Sequence, residues 1–149
     1  MPPIIPDTTL SRRVIGCAIE VHTHLGPGLT ASVYETCLCE ELSAAGLAFA
    51  RRRSLPVRYK NKTLDAFFQI DVVVAETLAL EIMAVDQILP PDEARLLTYL
   101  RLSGYGLGLL LNFNANRLTE GLRRVASTMD RIDEVWTTER EPVWRGRTA

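Results

Sequence analysis

Residues 64–85 limit the fold more than any other stretch. LDAFFQIDVVV (64–74) and LALEIMAV (78–85) are apolar runs separated by the three residues AET. Short apolar runs bounded by turn residues read as strands, and so brief a connection makes them antiparallel neighbours. Each run carries an acid, Asp71 in the first and Glu81 in the second. A turn near 75–77 puts these positions close together on facing strands. A half-buried acid is costly unless something pairs with it. Two residues past Glu81, on the same strand face, stands Met83, a thioether where carboxylate chemistry would want a cation.

The other elements follow from periodicity. Leu10, Val14, Ala18, Val21 and Leu25 recur at helical spacing, and LGPGL (25–29) ends that helix. A second helix is predicted over about 30–45, with Val33, Cys37, Leu38 and Leu42 as its stripe and Gly46 as its stop. Leu55, Val57 and Tyr59 alternate as in a strand, and KNKT (60–63) reads as a turn into 64–74, so three strands form a meander. Pro90 and Pro91 open a helix that runs to Ser103–Gly104, and GLGLLLNF (106–113) reads as a strand buried on both faces. RLTEGLRRVA is either a short helix or an edge strand. The order α-α-β-β-β-α-β requires a crossover into the last strand, hence an α/β protein with a mixed sheet flanked by helices.

One domain over 1–126 accounts for this pattern, followed by a polar tail, 127–149, that holds both tryptophans, Trp136 and Trp144. Low aromatic content marks a disordered tail. Two readings of the tail stand: a segment that docks or oligomerises, and a frayed end. With 17 basic and 18 acidic residues the net charge is −1, so any nucleic-acid footprint must be local. Cys17, Cys37 and Cys39 lack metal spacing and fit buried thiols in a reducing compartment. No secretory pattern is present and the apolar runs are too short to span a bilayer. The expected location is cytoplasmic, with no membrane partner.

Paired carboxylates on neighbouring strands are a usual way to hold Mg²⁺ or Mn²⁺, which can polarise a phosphodiester and activate water. The plainer alternative is that Asp71 and Glu81 are solvated strand residues.

Five collinear blocks, IEVHTHLGPGLTASVYETCLCEEL (19–42), FFQIDVVV (67–74), LALEIMAV (78–85), EARLLTYLRLSGYGLGLLLNF (93–113) and LTEGLRRV (118–125), resemble the GxxExxY proteins. These are a small bacterial branch of the PD-(D/E)xK nuclease superfamily. The resemblance covers roughly residues 8–126 and implies a restriction-endonuclease-like αβββαβ core, here with an extra N-terminal helix and a C-terminal tail. It marks six positions as an active site. Tyr34, Asp71 and Glu81 match, with Gly28 also in place. Ala31 stands where the family has its glutamate, Met83 where the superfamily has its lysine, and Arg95 where the following helix usually carries glutamine.

The lysine's role is to orient water and stabilise developing charge, and a thioether has neither a proton nor a charge to do so. Loss of one such group costs on the order of 10²–10³ in rate. No useful cleavage by the family's mechanism is therefore expected, and no catalytic residue or cofactor. The main reading is a catalytically silent nuclease-fold protein that acts as a structural or interaction module and forms a homo-oligomer. In it, Arg95 forks onto Asp71 and Glu81 in place of a metal. A second reading is a Mg²⁺- or Mn²⁺-dependent nuclease of DNA or RNA in which Asp71 and Glu81 hold the ion and Arg95 supplies the cation, although arginine is a poor base. A third is nucleic-acid binding without cleavage through Arg51, Arg52 and Arg53, the only dense basic run, for which a solvated face is the plain alternative. His22 and His24 do not share a helix face, which argues against a metal pair.

Overall fold

The computed structural model describes residues 8–127. The lead-in 1–7 and the tail 128–149, with Trp136 and Trp144, lie outside the described residues. Three helices, α1 (Thr8–Leu25), α2 (Ala31–Ala44) and α3 (Pro90–Ser103), flank one sheet of β1 (Phe49–Tyr59), β2 (Lys62–Val74), β3 (Leu78–Met83), β4 (Leu107–Asn112) and β5 (Leu122–Ala126). The strands lie side by side in chain order. β1, β2 and β3 form the antiparallel meander, β4 joins β3 in parallel after the α3 crossover, and β5 closes the other edge antiparallel to β4. This is the mixed α/β sandwich that the order of elements predicts.

Helices α1 and α2 cover one face. Leu10, Val14, Ala18 and Val21 of α1, with Tyr34, Leu38 and Leu42 of α2, pack on Val72, Val74, Leu80, Leu109 and Leu111. On the opposite face α3 sets Leu96 and Leu100 against Val73, Ala79, Met83 and Leu110. β3 is buried along its whole length, as expected of a strand covered on both faces. Helix α3 starts cleanly because Asp92 accepts the Leu89 N–H at 2.9 Å, and Gly104, at φ 86, closes it in the left-handed region.

Several local expectations change. β1 begins at Phe49, six residues before the predicted alternation at Leu55, because its arginine run finds ion-pair partners instead of solvent. The β1–β2 turn is tighter than KNKT: only Lys60 (φ 49) and Asn61 (φ 64) sit between the strands. Residues 117–126 are neither helix nor strand alone, but a 3₁₀ turn, Leu118–Gly121, followed by β5. The buried face of α2 runs through Tyr34, Leu38 and Leu42, with Glu35 and Cys39 beside it, and Val33 is 40 % exposed. Of the predicted stripe Leu38 and Leu42 are buried and Cys37 packs partly against the core, whereas Val33 faces outward in place of Tyr34, and the same face also buries the acid Glu35.

Candidate active site

The acid pair arises where β2 and β3 part. Their ladder runs Val74↔Leu78, Val73↔Ala79, Val72↔Leu80. The next step would set Asp71 opposite Glu81, but there the Asp71 carboxylate takes over from the backbone and accepts the Ile82 N–H at 2.9 Å. The alternation of β2 slips at the same place. Phe68, Ile70 and Val73 pack on the α3 side, whereas Val72 and Val74 pack on the other. Across from Asp71 in the β1–β2 register, Arg52 has φ 51, a kink that a non-glycine residue adopts at a cost.

Glu81 is 7 % exposed. Burial, and then the charge of Asp71, push its carboxyl up from 4.5 to about 8, against the pull of Arg95. Burial likewise raises Asp71, opposed first by the Ile82 hydrogen bond. The interaction between the two carboxyls raises Glu81 and lowers Asp71, so the pair favours a proton on Glu81 over one on Asp71. Glu81 Oε1 is buried and meets no donor among the described residues.

The cation expected beside these acids is not at its strand position. Met83 is 9 % exposed and packs in the apolar cluster with Phe68, Ile70, Leu96 and Leu100. Arg95 does not form the predicted fork. Its Nη1 lies 3.4 Å from Oδ1 of Asp92, three residues earlier on the same helix, and its side chain is 42 % exposed. The nearer carboxylate on its own helix captures the guanidinium, and Arg95 acts on the acids only through its field, which lowers both of their pKa values.

Tyr34 is buried and structural. Its ring stacks on Phe113 at 4.7 Å, and its hydroxyl donates to the Gly26 carbonyl and accepts the Leu29 N–H, tying down the α1–α2 connection. Ala31 opens α2 and packs partly against the core. His22 hydrogen-bonds the Ala115 carbonyl at 2.8 Å, whereas His24 lies 3.4 Å from Glu20, so the two histidines have separate partners.

The arginine run divides. Arg51 donates twice to Glu35, at 2.6 and 3.0 Å, with Arg52 3.6 Å from the same oxygen. Arg53 clasps Glu76 at 2.7 and 2.8 Å and touches the Tyr105 hydroxyl at 3.3 Å. The three do not present one row of free cations, as the nucleic-acid reading of this run requires.

Two residues near the acids escaped the sequence reading. Glu35, one turn beyond Ala31 and so on the same face of α2, is buried, and its charge raises Asp71. Tyr99, one turn beyond Arg95, stacks on Phe68 at 4.9 Å and feels the charges of Glu81, Arg95 and Asp71. Four-residue spacing from Ala31 and Arg95 was the available signal for both.

A mixed five-stranded sheet with a carboxyl pair at the opening of β2 and β3 defines a nuclease-like α/β fold. The sequence matches the family model of the PD-(D/E)XK nuclease superfamily over residues 8–125, and the chain belongs to that superfamily. No curated protein and no solved structure gives a match. Among the described residues no helix is long and apolar enough to cross a membrane.

Nucleases of this superfamily usually use Mg²⁺ or Mn²⁺. The acid pair fits such an ion in kind: two adjoining carboxylates, one with a buried oxygen that lacks a donor, are hard ligands. No third His, Cys, Asp or Glu completes the set among the described residues, so water or substrate oxygens would have to fill the remaining positions.

Proposed function

We propose that this chain is a non-cleaving member of the nuclease superfamily that serves as a structural or interaction module. The observation that carries the reading is Met83, sealed in the apolar core two residues from Glu81, where the superfamily's water-activating cation would stand. A divalent ion on the two acids would polarise a phosphodiester and acidify a bound water. The residues around it supply little else. Met83 offers no charge, Tyr34 is committed to the α1–α2 connection, and Ala31 brings no ligand. With Mn²⁺ and single- or double-stranded DNA or RNA, the purified protein is expected to leave the strands intact on a denaturing gel. Scission that disappears in both Asp71→Asn and Glu81→Gln would overturn the reading.

The field of Arg95 at both acids favours a second reading, a rearranged nuclease in which this guanidinium clamps the phosphate. In that case the same assay gives cleavage that Arg95→Ala abolishes.

Self-association belongs to the module reading. Ile19, Leu25, Leu29 and Val33, on α1, the α1–α2 connection and α2, are each about two-fifths exposed, apolar surface that a second copy would cover. Light scattering is expected to give a mass above one 16.6 kDa chain, and Leu29→Asp to lower it. A wild-type protein that stays at one chain at all concentrations rejects this part.

A further inference from the structure

Past the acids the meander continues as a two-stranded ribbon with one bare edge. β3 pairs with β2 only at residues 72–74, so among the described residues no strand lies on the second side of β2 from Lys62 to Ile70. Every residue of β2 from Lys62 to Phe67 is exposed. The backbone N–H and C=O groups of an uncovered edge are a template for another strand. The two faces of the ribbon differ. Phe68 and Ile70 pack toward α3, while Phe67, opposite Pro56 in the register, stands 62 % exposed on the other face. Leu64 lies on the same face as Phe68 and is 37 % exposed. The tip is basic: residues 58–70 hold Arg58, Lys60 and Lys62 against the single acid Asp65.

One stretch of this chain's own sequence matches that edge. DEVWTTE (133–139) has acids at Asp133, Glu134 and Glu139 and no base, and its centre, VWTT, consists of residue types that favour strands. We infer that DEVWTTE of one copy adds as a strand to the bare edge of β2 in a second copy, and that the second copy returns its own segment. Charge sets the direction. Asp133 and Glu134 lie toward Lys60 and Lys62, so the added strand runs parallel to β2. Val135 and Trp136 then come beside the stretch from Leu64 to Phe67. Neighbouring residues of a strand point to opposite faces, so one covers the face of Leu64 and the other the face of Phe67. Reach sets the copy. Val74, Leu78, Leu107 and Ala126 share one level of the sheet. The tip beyond Leu64 lies about 34 Å or more along β2 from that level. From Ser127 to Asp133 the chain extends at most about 21 Å, so a copy's own tail falls short. A mutual exchange closes as a two-fold dimer. The inference rests on the self-association reading and names the contact that holds the copies.

The test uses the full chain. Light scattering over a range of concentrations gives the dimer, and carbodiimide cross-linking of mixed isotopically light and heavy chains reads the contact by mass spectrometry. Links from Lys60 or Lys62 to Asp133 or Glu134 are expected, in pairs that join a light chain to a heavy one. Trp136→Ala is expected to raise the dimer dissociation constant about 30-fold, as for the loss of a buried aromatic anchor. Lys60→Glu/Lys62→Glu should weaken the dimer, and adding Asp133→Lys/Glu134→Lys to the same chain should restore it. Lys60 and Lys62 are exposed, and unchanged thermal melts confirm that the variants are folded. A dimer that Trp136→Ala and Lys60→Glu/Lys62→Glu leave equally tight overturns the inference while the self-association reading stands. Links found only within one isotope overturn it too, because the tail then lies on its own ribbon. A wild type that remains one chain at every concentration removes both.

Discussion

Replacing Glu81 by glutamine is expected to flatten the dependence of stability on pH between about 5 and 8, and to make the variant more stable than the wild type at pH 8 by about 3 kcal/mol. In the folded chain, burial first and the Asp71 charge second raise Glu81 from 4.5 to about 8. In the unfolded chain it returns to the ordinary value. Between those two values the folded state holds more protons than the unfolded state, so stability falls as pH rises. The contribution is fully present below the unfolded pKa and is lost as pH rises through the folded one. Each unit of separation corresponds to about 1.4 kcal/mol, and the interaction of Glu81 with Asp71 makes the full product an upper bound. Asp71 is also raised and adds with the same sign. Glutamine keeps an N–H donor for Asp71 but cannot ionise. Urea unfolding of both proteins at pH 5, 6.5 and 8 checks this, and parallel stability curves for the two would refute it. Millimolar Mn²⁺ at pH 8 probes the same pair from the other side. An ion held by the two acids would restore stability to the wild type and leave Glu81→Gln unchanged.

What is local in the chain was legible in its sequence, and what is not local was not. Two apolar runs and a short connection are enough to set Asp71 against Glu81, because hairpin register is a local property. The parallel entry of β4 likewise follows from a crossover helix between two apolar strands. What the chain does with its cations is not local. Arg51 meets Glu35 at 16 residues' separation and Arg53 meets Glu76 at 23, so the run that reads as a solvated face is the ordered start of β1. Arg95 is the converse case. The non-local partners Asp71 and Glu81 were expected, yet Asp92, one helical turn away, takes the guanidinium. β5 was ambiguous for another reason: its arginines are exposed at a sheet edge, where one apolar face is too sparse to reveal a period.

Arg51→Ala is expected to destabilise the fold by about 2–3 kcal/mol, whereas Arg51→Met combined with Glu35→Met should recover most of that loss. Glu35 is 8 % exposed in its side chain, and Arg51 gives it two donors on one oxygen. Removing the arginine leaves a buried carboxylate without its main counter-charge, a far costlier state than a pair of apolar side chains. The figure stays at the low end because Arg51 is one-third exposed and Arg52, at 3.6 Å, remains to screen the acid. Guanidinium unfolding of the single and double variants measures the asymmetry, and equal losses in both would show that Glu35 was never dependent on Arg51. The consequence reaches the acid pair. The charge of Glu35 already raises Asp71, so the Arg51→Ala variant should hold the proton of the acid pair to a higher pH than the wild type. Carboxyl-carbon NMR titration of Asp71 and Glu81 reads that shift directly. Helix α2 then still acts on the nuclease-like carboxyls, through an acid one turn beyond Ala31 that β1 keeps neutralised.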